Sequence, residues 1–258
     1  MMCEEIYNTI AVKVSGYKYS SMNYLDFDEC RNAEILYDND GLILLQDKSK
    51  IPAMVYFATD DFEEVIKRMT NLSGKLRLHF VPRIYVPQLK SLGFVEWGEY
   101  VDFWNTDLAK TAENFKNLDE IEYLSVDECE AASDVTKSCL LLSRGFEGDS
   151  PEWFKQWLDE GNHVIVRREG SRIVGVCCVT IYNGGTTLHV REIAVDPKNQ
   201  GMGLGKKLME QAISYGVGCG AIKGFLLADV LNENAIGLYE KYDFQMKDEE
   251  GEIQMVRM

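Results

Sequence analysis

The second half of the chain alternates between segments with the hydrophobic spacing of strands and segments with that of helices. In 204–215, apolar side chains at positions 204, 208, 209, 212, 213 and 215 recur about once per turn, which predicts a helix buried on one face. Ser150 followed by Pro151 predicts the start of a shorter helix. The other predicted helices are 128–142 and 234–242, and the predicted strands are 121–126, 163–168, 173–182, 188–195 and 225–230.

The first half has a similar order of predicted elements. The predicted strands are 41–45, 51–57 and 76–81, the predicted helices are 60–69 and 85–92, and Gly93 begins the closing strands. The segment LKSLGF at 89–94 also resembles YEKYDF at 239–244, which suggests a tandem duplication. A polar segment at 104–119 predicts a linker between one domain at 1–110 and another at 118–258. The alternative is that the first domain is an unrelated α+β domain.

A glycine-rich segment, Gln200-Gly-Met-Gly-Leu-Gly205, separates the predicted strand 188–195 from the predicted helix 204–215. Glycine allows backbone conformations that bring amide N–H groups close to a ligand. The unpaired N–H groups of the first helical turn and the positive end of the helix dipole favour an anion there. Two common nucleotide motifs do not fit, because Lys206 and Lys207 stand where the dinucleotide and phosphate-loop patterns require Gly and Ser or Thr.

The pattern that fits is [Q/R]xxGx[G/A], formed by Gln200, Gly203 and Gly205. About 30 residues later comes VLNENAIGLYEKYDF at 230–244, in which Asp243 stands where Gly is usual. Together the two segments resemble the cofactor loop and the closing motif of the GNAT superfamily of N-acetyltransferases, and the resemblance covers 118–258. It implies a mixed, mostly antiparallel α/β (α+β) sheet flanked by helices, in a tandem arrangement if the first half is related.

The resemblance implies transfer of an acetyl or short acyl group from acetyl-coenzyme A to a primary amine, by direct attack in a ternary complex. Acetyl-coenzyme A is then a co-substrate, and no metal is expected. In this family the strand's main chain pairs with the pantetheine arm, the loop amides hold the pyrophosphate, and an Asn contacts the cofactor arm. The residues that match these positions are Ile193, Ala194, Val195, Gln200, Gly201, Met202, Gly203, Leu204, Gly205, Lys206 and Asn232.

Two residues are candidates for proton transfer. By resemblance, Tyr239 protonates the leaving thiolate, and a phenol with an ordinary pKa of about 10 suits that role. Many family members have an acidic residue on the strand before the loop, so we favour Glu192 as the base over His189 or a chain of waters. The alternative role for Glu192 is a carboxylate that orients the substrate. On a regular strand Glu192 and His189, three residues apart, face opposite sides.

The first half departs from the family. Leu89 stands where the second half has Tyr239, Pro82 stands where it has Asn232, and no QxxGxG segment occurs in 1–110. We therefore expect a degenerate GNAT-like domain that has lost cofactor binding and packs beside the second half.

Composition limits the partners of the protein. The 258 residues carry a formal charge of −15, from 27 basic and 42 acidic residues, which disfavours nucleic acid and anionic membranes and favours cationic amines. Seven cysteines with no CxxC pair predict reduced thiols and a cytoplasmic protein. No apolar segment approaches the roughly 20 residues that a membrane span needs.

Two other functions remain open at this stage. One is a catalytically inactive sensor of acyl-coenzyme A, and the other is an interaction protein with no ligand. The retained loop and Tyr239 favour an enzyme. The acceptor amine, the length of the acyl chain and the oligomeric state are left open by the sequence.

Overall fold

The computed structural model describes residues 2–23, 25–115, 119–140, 143–247 and 251–258. The chain forms two compact units, one of residues 1–100 and 250–258 and one of residues 101–249. This division differs from the predicted domains 1–110 and 118–258 at both ends of the second unit. The last strand of the chain belongs to the first unit, and the boundary near residue 100 lies inside a strand.

The first unit is built in chain order from the following helices and strands. They are α1 (Glu4–Val14), β1 (Tyr19–Ser20), α2 (Phe27–Cys30), β2 (Glu34–Asn39), β3 (Leu42–Asp47), β4 (Ala53–Thr59), α3 (Phe62–Met69), β5 (Leu76–Leu78), a 3-10 turn (Arg83–Tyr85), α4 (Val86–Ser91) and β6 (Val95–Asn105). The predicted strands 41–45 and 51–57 correspond to β3 and β4, which pair antiparallel, and the predicted helix 60–69 corresponds to α3. Asp61 caps that helix by accepting a hydrogen bond from the Glu63 N–H.

The second unit continues from the same strand. Its elements are α5 (Leu108–Ala112), β7 (Glu122–Tyr123), a 3-10 turn (Val126–Glu128), α6 (Cys129–Ser138), α7 (Pro151–Asp159), β8 (His163–Glu169), β9 (Arg172–Tyr182), β10 (Thr187–Val195), a 3-10 turn (Pro197–Asn199), α8 (Leu204–Gly218), β11 (Lys223–Asp229), α9 (Glu233–Glu240) and β12 (Gln245–Met246). The chain ends with β13 (Glu252–Arg257), which pairs with β5 and β6 in the first unit.

The predicted linker at 104–119 is wrong for its described part. Strand β6 runs to Asn105 and helix α5 follows, while 116–118 lie outside the described residues. The part of β6 just before this segment alternates: Val101 and Phe103 point into a core and Asp102 between them does not. Leu108 of α5 is also fully buried in that core.

Two predicted elements are shorter than expected. The strand predicted at 121–126 has only the two residues of β7, and the helix predicted at 128–142 ends at Ser138. The residue that caps this end, Cys139, is buried, and its thiol donates to the carbonyl of Val195 on β10 at 3.3 Å. Residues 141 and 142 of that prediction lie outside the described residues.

The sheet of the second unit has the strand order β6–β11–β10–β9–β8–β7, with β12 beside β6. The pairs β7/β8, β8/β9 and β9/β10 are antiparallel, and β10/β11 is parallel. One core lies between the sheet and the helices α5, α8 and α9, and a second core lies between the sheet and the helices α6 and α7. The predicted fold class, a mixed and mostly antiparallel sheet flanked by helices, is confirmed.

The sheet of the first unit has the order β2–β3–β4–β5–β13–β6, and β1 pairs with β4. Strands β4 and β5 are parallel, and the pairs β2/β3, β3/β4, β5/β13 and β13/β6 are antiparallel. Helices α3 and α4 pack on one side of it, and α1 and α2 on the other. Of the helices in the described ranges, none combines the length and the apolar character needed to cross a membrane.

Candidate active site

Strands β10 and β11 separate part-way along their length. Their parallel pairing covers Thr187 to His189 on one strand and Lys223 to Phe225 on the other. On its other side, β10 continues to pair with β9 as far as Val195. Within these fully described strands, the main chain of 193–195 therefore has an edge towards β11 that no strand occupies.

A bulge at Arg191 changes which side chains of β10 share a face. Val190 pairs with Val179, whereas Glu192 pairs with Cys178, so Arg191 is an extra residue without a partner in the register. Side chains alternate along a strand, and one inserted residue reverses the alternation. Glu192 therefore lies on the same face as His189, on the side of α6 and α7. The predicted placement on opposite faces is wrong because it assumed a regular strand.

The loop after β10 is held in place by side chains at its base. Asp196 accepts a hydrogen bond from the Lys198 N–H, and the Gln200 amide donates to the carbonyl of Val195 at 2.9 Å. The guanidinium of Arg172 on β9 binds Asp196 at 2.8 Å and donates to Asn199 at 3.0 Å. These contacts present the glycines that follow at the start of α8.

Two glycines give this loop its shape. Gly201 and Gly203 have φ of 75° and 78°, a region that residues with a Cβ rarely adopt, and Gly203 is the N-cap of α8. Apart from the two chain neighbours, a Cβ at either position would meet no atom of the described residues within 4 Å, so the loop borders open space. The 15-residue helix α8 has no side-chain cap at Gly203, so its first N–H groups lack a partner within the helix, and a helix start of this kind can hold an anion.

These features coincide with a sequence match. The model of the acetyltransferase (GNAT) family matches residues 115–244, half of the chain. The chain belongs to the GNAT family of acetyltransferases.

Solved structures with low sequence identity share the GNAT fold. A GNAT-family acetyltransferase from Colwellia psychrerythraea has a TM-score of 0.60 at 10% identity, covering 100% of this chain and 98% of that one. A GCN5-related N-acetyltransferase from Sphaerobacter thermophilus has a TM-score of 0.55 at 12% identity, covering 86% and 82%. A conserved protein of unknown function from Staphylococcus epidermidis has a TM-score of 0.58 at 13% identity, covering 92% and 99%.

A curated relative, an uncharacterized protein of Mycobacterium leprae, is 29% identical over 119 residues. The matched region is 44% of this chain and 32% of that protein, so this chain spans about a third of the relative's length.

The expected acid of the GNAT site, Tyr239, is almost completely buried in α9. Its ring packs edge-on against Phe103 at 6.1 Å, in the core between the sheet and α8 and α9. Burial raises the pKa of Tyr239 well above its usual value, and the nearby Cys177 and Glu192 raise it further. The phenol therefore keeps its proton at physiological pH, and it is a weaker acid than the ordinary phenol on which the expectation rested.

The expected base, Glu192, is also buried, with 8% of its side chain exposed. Its Oε2 lies 3.3 Å from an Nη of Arg191, and its Oε1 is buried without a hydrogen-bond partner among the described residues. Burial raises the pKa of Glu192, the nearby carboxylate of Asp149 raises it further, and Arg191 opposes the shift. Glu192 therefore holds its proton more tightly than an ordinary carboxyl.

The alternative base, His189, belongs to a row of half-buried aromatic side chains. Its ring lies 5.2 Å from that of Phe225 and 6.2 Å from that of Tyr182, and Phe225 lies 4.8 Å from Trp104. Burial lowers the pKa of His189 to about 4, with a further contribution from Arg191. A neutral imidazole with so low a pKa is a weak proton acceptor, which favours Glu192 for that role.

Asn232 and the lysines of the loop have partners within the protein. The Asn232 Oδ1 caps α9 by accepting a hydrogen bond from the Ala235 N–H at 3.2 Å, which leaves its amide N–H₂ as the donor for a ligand. Lys206 lies 3.8 Å from Glu210, and Lys207 lies 3.2 Å from Asp119. Both lysines are thus next to a carboxylate of the protein itself.

Sequence reasoning missed the charged residues of the segment 143–149, which precedes α7. Arg144 donates to both carboxylate oxygens of Asp229, at 3.0 and 2.9 Å, and Asp229 is 2% exposed. Asp149 binds Arg191. Nothing in the sequence distinguishes these charges from ordinary surface ones, because their partners lie more than 40 residues away.

Proposed function

We propose that residues 101–249 transfer an acetyl or short acyl group from acetyl-coenzyme A to a primary amine, by direct attack in a ternary complex. The observation that carries the proposal is the separation of β10 from β11 beyond His189 and Phe225, next to the N-terminus of α8. It leaves a free main-chain edge beside an anion site, which suits a long ligand that ends in a pyrophosphate.

The cofactor roles proposed from family resemblance fit this geometry. The main chain of 193–195 pairs with the pantetheine arm, and the N–H groups of 200–206 hold the pyrophosphate. The open space beside Gly201 and Gly203 leaves room for the phosphates to approach the backbone. Asn232 supplies an amide donor from the opposite side, at the start of α9.

In the proposed reaction, Glu192 takes a proton from the amine, directly or through water. The amine nitrogen then attacks the thioester carbonyl carbon, the C–S bond breaks, and Tyr239 gives its proton to the departing thiolate. The two residues belong to opposite faces of the sheet: Tyr239 is in the core beside α8 and α9, and Glu192 is on the side of α6 and α7. A thioester in the gap between β10 and β11 would have one on each side.

Burial of Glu192 favours an enzyme over an inactive sensor. Removing a carboxyl from water without a full set of hydrogen bonds costs free energy. A site that only bound the cofactor would have no use for a group that costs stability in this way. A carboxyl with a raised pKa is, in contrast, a useful proton acceptor for an amine.

The proposal is tested by measuring thiol release from acetyl-coenzyme A with a panel of small amines, amino acids and peptides. We expect release above the rate of hydrolysis with at least one acceptor. A protein that binds acetyl-coenzyme A in calorimetry and yet releases no thiol with any class of amine would instead be a sensor.

The first unit is proposed to be a degenerate GNAT-like domain that binds no cofactor. Leu89, at the position that corresponds to Tyr239, is completely buried in the core of that unit, so it has a packing role. Pro82 precedes the turn before α4 and offers no side-chain donor. One binding site per chain follows from this interpretation.

A further inference from the structure

The position of Asp149 is fixed by the main chain on both sides of it. Its N–H donates to the hydroxyl of Thr136 at 3.0 Å, and its carbonyl accepts from the hydroxyl of Ser133 at 2.7 Å. Both hydroxyl residues are fully buried in α6. The next residue, Ser150, caps α7 by accepting a hydrogen bond from the Trp153 N–H at 3.1 Å. Asp149 is therefore attached to two helices at once.

Gly148 shows how closely this segment approaches α6. It has a φ of 69°, and a Cβ there would lie 2.9 Å from the main-chain nitrogen of Lys137. No other residue fits at that position without moving the helix. Such close packing indicates that the direction of the Asp149 side chain is determined by the fold.

The Asp149 carboxylate holds the guanidinium of Arg191 with two hydrogen bonds, at 2.8 and 3.2 Å. The guanidinium also lies over the ring of Trp153, 3.9 Å from its centre. Paired hydrogen bonds and stacking together define one orientation for an arginine. In that orientation an Nη of Arg191 lies 3.3 Å from Glu192.

We propose that Asp149 is a positioning residue for Glu192, one that holds Arg191 against it and controls with its own charge when Glu192 releases its proton. The inference rests on the proposed function, since it gives Glu192 the role of base. Asp149 and Glu192 are 13% and 8% exposed, so water screens their interaction little. The negative charge of Asp149 disfavours ionisation of Glu192, and the positive charge of Arg191 favours it.

The other titratable groups around Glu192 are neutral near pH 7. Burial raises the pKa of the thiols of Cys177, Cys178 and Cys139 and of the phenol of Tyr239, which keeps all four protonated. His189, on the same face, has a pKa lowered to about 4 and is uncharged above it. Asp149 and Arg191 are therefore the charged neighbours that, added to the effect of burial, set the proton affinity of Glu192.

The test is the titration of Glu192 followed by carbon-13 NMR of side-chain carboxyls in the full-length protein. The Glu192 resonance is identified by its absence from Glu192→Gln. In Asp149→Asn we expect Glu192 to titrate at lower pH, by about one unit or more. In Arg191→Met, which removes the opposing charge, we expect it to titrate at higher pH. Asp134→Asn, on the exposed side of α6, is the matched control and should leave the titration unchanged.

A second readout is the pH dependence of kcat/KM, whose rising limb should move with the NMR titration in each variant. Asp149→Glu keeps the charge and should keep the limb close to that of the wild type. An unchanged Glu192 titration in folded Asp149→Asn overturns the inference and leaves acyl transfer intact. If Asp149→Asn does not fold, an unchanged titration in Arg191→Met overturns it. A wild type without thiol release overturns the proposed function, and the titration still tests the charge coupling.

Discussion

His189 and Glu192 lie on the same face of the sheet because Arg191 forms a bulge between them. The bulge lies two residues after His189, the last residue of β10 that pairs with β11. One local irregularity therefore accompanies three features of the site: the free edge at 193–195, the orientation of Glu192, and the contact of Arg191 with Asp149.

Gly203→Val should abolish binding of acetyl-coenzyme A. Valine is strained at a φ of 78°, and its side chain occupies the space proposed for the pyrophosphate. Isothermal titration calorimetry should find one site per chain in the wild type and none in the variant. Gly170→Val is the control, since Gly170 also has a positive φ, in the turn between β8 and β9. Two equivalent sites in the wild type would contradict the proposed loss of binding in the first unit.

Tyr239→Phe should keep cofactor affinity and lower kcat. Phenylalanine preserves the packing against Phe103 and removes only the hydroxyl. If protonation of the thiolate limits the rate, loss of the acid should reduce kcat by about 10²–10⁴-fold. Tyr215→Phe removes a hydroxyl that contacts His163 and should leave kcat unchanged. An unaltered kcat in Tyr239→Phe, with chemistry shown to be rate-limiting, would assign the tyrosine a packing role.

The activity should increase with pH over a range above that of an ordinary carboxyl. Glu192 acts as a base only after losing its proton, and its pKa is raised by burial from the usual value of about 4.3. The rising limb of kcat/KM should therefore lie at higher pH, and it should disappear in Glu192→Gln. Because amines also titrate, the measurement uses two acceptors of different pKa. A rising limb whose pH midpoint changes with the acceptor reports the titration of the acceptor amine. If no rising limb stays at the same pH with both acceptors, Glu192 is not the base.

A fragment of residues 101–249 should be more stable than one of residues 118–258. The fragment that begins at residue 118 lacks Val101, Phe103 and Leu108, which are buried in the core beside α8. The same fragment, 118–258, also keeps β13 but lacks the strands of the first unit with which β13 pairs. Each buried apolar side chain contributes about 1.5–3 kcal/mol to the free energy of unfolding, so the fragment 101–249 should have a clearly higher melting temperature. Equal melting temperatures would mean that this end of β6 contributes little to the core.

The sequence by itself determined the features that depend on neighbouring residues. The helix at 204–215 follows from apolar spacing, and the cap at Ser150 follows from the residues after it. The glycine loop is equally local, because positive φ and unpaired N–H groups at a helix start are properties of a few consecutive residues. For the same reason the family could be identified from two short segments.

Tertiary structure decided the features that depend on pairing between distant segments. The bulge at Arg191 exists only in the register between β10 and β9, and the place of β13 depends on strands more than 140 residues earlier. Asp149 reaches Arg191 because Ser133 and Thr136 hold its main chain. Hydrophobic periodicity records which side chains are buried, and it carries no information about which buried or charged groups meet.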